Sequence, residues 1–109
     1  MNIKEVIKAL RKFAGVEPAI SFARLAKTAI ILDVRTRTDY LRGHIMYSLN
    51  IPLDQIKQMI DSLPNKETTI ITCSGKDVKS AAARRVLMSL GYKSVYNGGS
   101  WELLKNRIF

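Results

Sequence analysis

Two continuous apolar runs limit what this chain can fold into. Ala29-Ile30-Ile31-Leu32-Asp33-Val34 lacks the polar alternation of a half-exposed strand, and Thr68-Thr69-Ile70-Ile71-Thr72 is a β-branched run of similar length. Runs of this kind suit strands covered on both faces, as in parallel sheets whose crossovers are helical. The intervening segments supply the helices. Ser21 is a plausible N-cap for a short helix to Lys27, Asp39 to Arg42 reads as one turn ended by Gly43, and Leu53, Ile56, Ile60 and Leu63 recur at helical spacing up to Pro64. Ala81 to Leu90 continues the pattern up to Gly91. Ser48 to Ile51 and Ser94 to Tyr96 read as short extended pieces, Gly98-Gly99 as a turn, and Trp101, Leu103 and Leu104 as the start of a last helix. Strands alternating with helices predict an α/β fold.

Ahead of these elements, Ile3, Val6, Ile7, Leu10 and Phe13 form an apolar stripe with lysines and arginines on the other faces. The expected organisation is an N-terminal amphipathic helix over 1–16, packed on or beside a domain over 17–109. A helix lying on a membrane is the alternative for that stripe, but no tryptophan anchors it.

The 109 residues suffice for one domain with a real core, and no run approaches the roughly 20 apolar residues that span a bilayer. The charged N-terminus leaves no room for a signal-peptide core, so cytoplasmic residence is expected. The formal charge of +9 invites a nucleic-acid hypothesis. However, basic residues are spread evenly along the chain, without an arginine block or a basic strand interleaved with aromatics, so no nucleic-acid partner is expected. One cysteine and one histidine exclude an internal disulfide and a structural zinc site, and no metal or cofactor is expected.

The lone cysteine, Cys73, follows the second apolar run and precedes a helix start. Free backbone N–H groups and the positive end of a helix at such a junction favour the nucleophilic thiolate. The alternative is a small hydrophobe buried in the core.

The ordered series Ile31-Leu32-Asp33-Val34-Arg35, Asp39-Tyr40, Gly43-His44-Ile45, Asn50-Ile51-Pro52-Leu53, Cys73, Ser80-Ala81-Ala82, Leu90-Gly91-Tyr92, Val95-Tyr96-Asn97-Gly98-Gly99 and Trp101 resembles rhodanese-like domains over about residues 17 to 104. The resemblance implies a three-layer α/β fold with about five mostly parallel strands and helices on both faces. It also implies sulfur transfer, in which Cys73 takes a sulfane sulfur from thiosulfate or a protein persulfide. Cys73 would carry it as a persulfide and pass it to a thiol or cyanide. Ser74, Gly75, Lys76, Asp77, Val78, Lys79 and Ser80 would cradle the anionic donor, with Lys76 and Lys79 supplying attraction; as surface lysines, the same two could simply be solvated. Asp33, Arg35 and His44 would be structural near the site, with Arg35 pairing to Asp39 across one turn. Tyr96 and Trp101 would serve as packing.

The match has departures. The pattern Cys-x-x-Gly-x-Arg-Ser of active members has its glycine one place early here, at Gly75, and its basic residue one place late, at Lys79. Counted from Cys73, the loop Ser74 to Val78 has five members, where small sulfurtransferases have four. Five is the spacing of related phosphatases and arsenate reductases, which use arginine rather than lysine there. A catalytically weak binding or regulatory module is the third possibility. Asp77 either faces the loop, repelling an anion, or N-caps the following helix; the cap is the expected role. Tyr47-Ser48 stands where the family has small residues, which implies local repacking.

Overall fold

The computed structural model describes residues 2–4, 21–59, 61, 63 and 65–109. The helix expected over 1–16 lies outside these residues except for its first few positions. The elements are α1 (Phe22–Leu25), β1 (Ile30–Asp33), α2 (Arg37–Arg42), β2 (Leu49–Asn50), a 3-10 turn (Leu53–Gln55), β3 (Ile70–Ser74), α3 (Asp77–Ser89), β4 (Val95–Ser100) and α4 (Trp101–Ile108). The strands form one sheet in the order β2-β1-β3-β4, and every neighbouring pair is parallel. The described residues thus hold four strands where about five were expected.

Local chemistry accounts for the boundaries. Ser21 caps α1 as predicted, its hydroxyl accepting from Arg24 N at 3.2 Å, and Thr36 caps α2 by accepting from Asp39 N at the same distance. At the far end of α3, Gly91 takes φ +101°, and Tyr92 N reaches back to Leu87 O at 3.1 Å. The helix expected from Leu53 to Leu63 begins instead as a 3-10 turn followed by turn residues through Met59, while Ile60 and Pro64 lie outside the described residues.

Gly98-Gly99 is not a turn, because β4 runs straight through it. A Cβ on Gly98 would come within 2.6 Å of Thr72 O and 2.9 Å of Ile71 Cγ2, so glycine is what lets β4 lie against β3 there. The pairing shifts at the same point: Thr72 faces Asn97, but Ser74 faces Ser100, so β4 carries an extra residue.

Side chains alternate across the sheet and fill two separate cores. Leu32, Val34, Ile70 and Val95 pack with Ala83 and Leu87 of α3 and with Ile56 and Tyr92. Ile31, Ile71 and Cys73 pack with Ile45 and with Leu104 of α4, flanked by Trp101, Tyr96 and α1. Helices therefore cover both faces, as expected. Leu87 is fully buried at the centre of the first core. Leu87→Ala is expected to lower unfolding free energy by about 2–5 kcal/mol, measured by urea denaturation.

Candidate functional site

β3 continues past the expected end of its apolar run. Cys73 and Ser74 are both strand residues, and all five positions of β3 are buried. Cys73 therefore does not stand at the strand-to-helix junction. Its side chain lies in the core made with Ile31, Ile45, Ile71 and Leu104, and its exposure is 0%. Burial pushes the thiol up from its ordinary 9.0 to about 12, the adjoining Asp33 carboxylate adds to the rise, and Arg35 opposes it. This reverses the expectation of a thiolate stabilised by the loop. Since the folded value exceeds the unfolded one, the thiol's contribution to stability is full below about pH 9. It is lost as pH rises toward about 12.

The junction belongs to Ser74, whose side chain alternation sends to the face opposite Cys73. Ser74 is buried; its hydroxyl donates to the carbonyl of Lys76 and accepts from Lys76 N at 3.2 Å, folding the start of the loop upon itself. Counted from Ser74, Gly75, Lys76, Asp77 and Val78 separate the head of the loop from Lys79, a spacing of four. The five-residue spacing shared with phosphatases and arsenate reductases arises only when the count starts at Cys73.

Gly75, Lys76, Asp77, Val78 and Lys79 are exposed, and none of the described ion pairs involves Lys76 or Lys79. The N-cap of α3 is Lys76, which provides no side-chain acceptor, so Asp77 is not the cap but the first helical residue. Its carboxylate instead accepts from Asn97 Nδ2 at 2.8 Å. Asn97 Oδ1 lies 2.6 Å from Ser80 Oγ and accepts from Gly99 N at 3.0 Å. Asn97 thus ties the first turn of α3 to the bulge of β4. Sequence reasoning assigned Asn97 only to the family series, and the Asn-Gly-Gly run beside a strand was the available signal. Ser80 is fully buried in this tie, unlike the exposed residues 75–79 expected to form the cradle with it.

Arg35 pairs with Asp33 and not, as expected, with Asp39. Asp33 neighbours Cys73 in the β1–β3 register, and its side chain is fully buried. Arg35 Nε donates to Asp33 Oδ1 at 2.9 Å and Nη2 to Oδ2 at 2.7 Å, forming a two-pronged pair. Arg35 hydrogen-bonds Asp39 through the backbone carbonyl, at 3.3 Å, and the Asp39 carboxylate lies 4.0 Å from Arg42. Nη2 also donates to Gly43 O at 2.7 Å, and the guanidinium lies 4.5 Å from the centre of the Trp101 ring. Burial works against the Arg35 charge, yet the hydrogen-bonded Asp33 carboxylate carries its pKa above the ordinary range.

His44 is exposed at the end of α2. Its Nδ1 donates to Tyr40 O at 2.7 Å, and its ring stacks on Tyr40 at 3.8 Å. Tyr47 takes φ +68° and is exposed, whereas Ser48 is buried with its hydroxyl on Ile45 O at 2.6 Å. Trp101 and Tyr96 pack at the second core, as expected.

A family model described as Rhodanese-like domain matches residues 21–105. The chain belongs to the rhodanese-like domain family. Among its relatives, Thiosulfate sulfurtransferase PspE of Escherichia coli is 32% identical over 69 residues, covering 62% of this chain and 66% of that protein. Thiosulfate sulfurtransferase GlpE of Pseudomonas entomophila is 26% identical over 99 residues, covering 89% of each. The match to PspE spans slightly less than two thirds of that relative, and the match to the uncharacterized protein YqhL of Bacillus subtilis spans 56% of it. A solved structure titled "rhodanese with anions from E. coli" superposes with a TM-score of 0.64 at 29% identity, covering 68% of this chain and 88% of that one. PspE and GlpE are both thiosulfate sulfurtransferases by name. Among the described residues, no helix of this rhodanese-like domain is long and apolar enough to cross a membrane.

Arg35→Met leaves the Asp33 carboxylate buried without its cation. The substitution is expected to cost about 3–5 kcal/mol in urea denaturation, and adding Asp33→Asn should recover part of that loss.

Proposed function

We propose that this rhodanese-like domain is a binding module that receives a small anion at the loop 75–79 and does not itself carry sulfur. This develops the third of the possibilities open from the sequence. The observation that carries the reading is the burial of Cys73 among Ile31, Ile45, Ile71 and Leu104, on the face of the sheet away from the loop. Burial raises the thiol's pKa and so favours its protonated form, which is the poor nucleophile. The Ser74 hydroxyl, taken up by the Lys76 carbonyl, offers no substitute nucleophile.

Two features support anion binding. Lys76 and Lys79 are exposed beside the start of α3, and that helix has no side-chain cap to occupy its first N–H groups. Asp77 places a negative charge in the same turn, but its carboxylate is held toward Asn97. The net result is modest attraction for a sulfate-like or thiosulfate-like anion, weakened by salt.

A second reading follows from the names of the relatives: sulfur transfer through a Cys73 persulfide, with thiosulfate or a protein persulfide as donor and a thiol or cyanide as acceptor. One experiment separates the two. After incubation with thiosulfate, intact-mass spectrometry should show wild-type protein unchanged. Amide NMR shifts should centre on 75–79 and diminish in Lys79→Ala. Addition of one sulfur atom to wild type, lost in Cys73→Ser, would establish the second reading and remove the first.

A further inference from the structure

We infer that Ser74, not Cys73, stands at the place the sulfur-carrying residue occupies in this fold, and that the loop departs from an active one at three side chains in register. This rests on the reading above that the chain's own thiol carries no sulfur.

Three observations lead there. First, Ser74 is the last residue of β3 and the one from which the loop springs, while Cys73 points into the opposite core. Second, a loop amide is already directed at the γ atom of position 74, since Lys76 N lies 3.2 Å from Ser74 Oγ. A thiolate there would accept the same N–H. The Lys76 carbonyl, which now accepts the serine proton, would lose that partner.

Third, the register closes without a gap. Reading Cys-x-x-Gly-x-Arg-Ser from Ser74 puts Asp77 at the glycine, Lys79 at the arginine and Ser80 at the serine. The pattern's final serine is retained, and it is the buried residue that Asn97 ties to β4. The three replaced positions are those that would bear the nucleophile, admit the anion and grip it. Lysine gives a single point charge where arginine gives a fork, and Asp77 adds a carboxylate where glycine has no side chain. The scaffold is kept while the chemistry-bearing side chains differ.

Restoring them defines the step. With a thiolate at position 74, that sulfur attacks the outer sulfur of thiosulfate, the S–S bond of thiosulfate breaks, and sulfite leaves with the electron pair. The chain then holds a persulfide, which cyanide discharges by forming a C–S bond and releasing thiocyanate and the thiolate. The test uses the full chain in a Cys73→Ala background, so that any sulfur gained sits on the introduced thiol. One variant adds Ser74→Cys, and a second adds Asp77→Gly and Lys79→Arg as well. Each is checked for a cooperative thermal transition, incubated with thiosulfate and read by intact mass. The expected result is gain of one sulfur atom by at least the fuller variant, with thiocyanate formed on adding cyanide and none from Cys73→Ala alone. If the variants that melt cooperatively gain no sulfur, the inference is overturned, whether or not the new thiol alkylates. Sulfur on wild-type Cys73 is a separate outcome and counts against the proposed function.

Discussion

Alternation along β3 governs the rest of the molecule. Ile70, Thr72 and Ser74 face one side of the sheet, and Ile71 and Cys73 face the other. Slipping the strand by one residue would exchange every one of these side chains between faces, and the buried isoleucines make that exchange prohibitive. The register with β1, Ile30 to Asp33 against Ile70 to Cys73, locks the arrangement from the other side. The same packing that makes the sheet stable therefore decides which residue meets the loop and which is sealed beneath α4.

Around the sealed cysteine, the Asp33–Arg35 pair completes the C-terminal edge of the sheet. A fully buried carboxylate is tolerable only because the guanidinium meets it with two prongs. Gly43 and Trp101 then close over the guanidinium. At Cys73, burial is the largest cause of the raised thiol pKa; Asp33 adds to it by disfavouring the thiolate, and Arg35 opposes it. On the opposite face, Asn97 performs a comparable service for the loop by holding Asp77 and Ser80 to β4.

Much of this was legible in the sequence. The apolar runs marked β1 and β3, Ser21 marked a helix start, Gly43 and Gly91 marked helix ends, and the ordered motifs resembled the family whose model matches. The errors cluster where one residue of register matters. Thr72, Cys73 and Ser74 are small or polar, so hydrophobicity gave no signal for where β3 ends; the strand ends where cross-sheet pairing with Ser100 ends. The same ambiguity sets whether the loop is counted from Cys73 or from Ser74. Gly98-Gly99 resembled a turn because glycine marks both turns and close strand packing, and only the approach to Thr72 O distinguishes them. Asp77 looked like a cap, but Asn97, twenty residues later, draws its carboxylate away.

The central claim is that the only thiol of the chain is sealed in a core and protonated throughout the physiological range. Its ionisation can be followed directly by the ultraviolet absorbance of the thiolate, as the difference between wild type and Cys73→Ala during a pH titration of the folded protein. The account predicts no thiolate signal until pH approaches about 12 or the protein unfolds. A midpoint at or below the free-cysteine value of about 8.5 would contradict it.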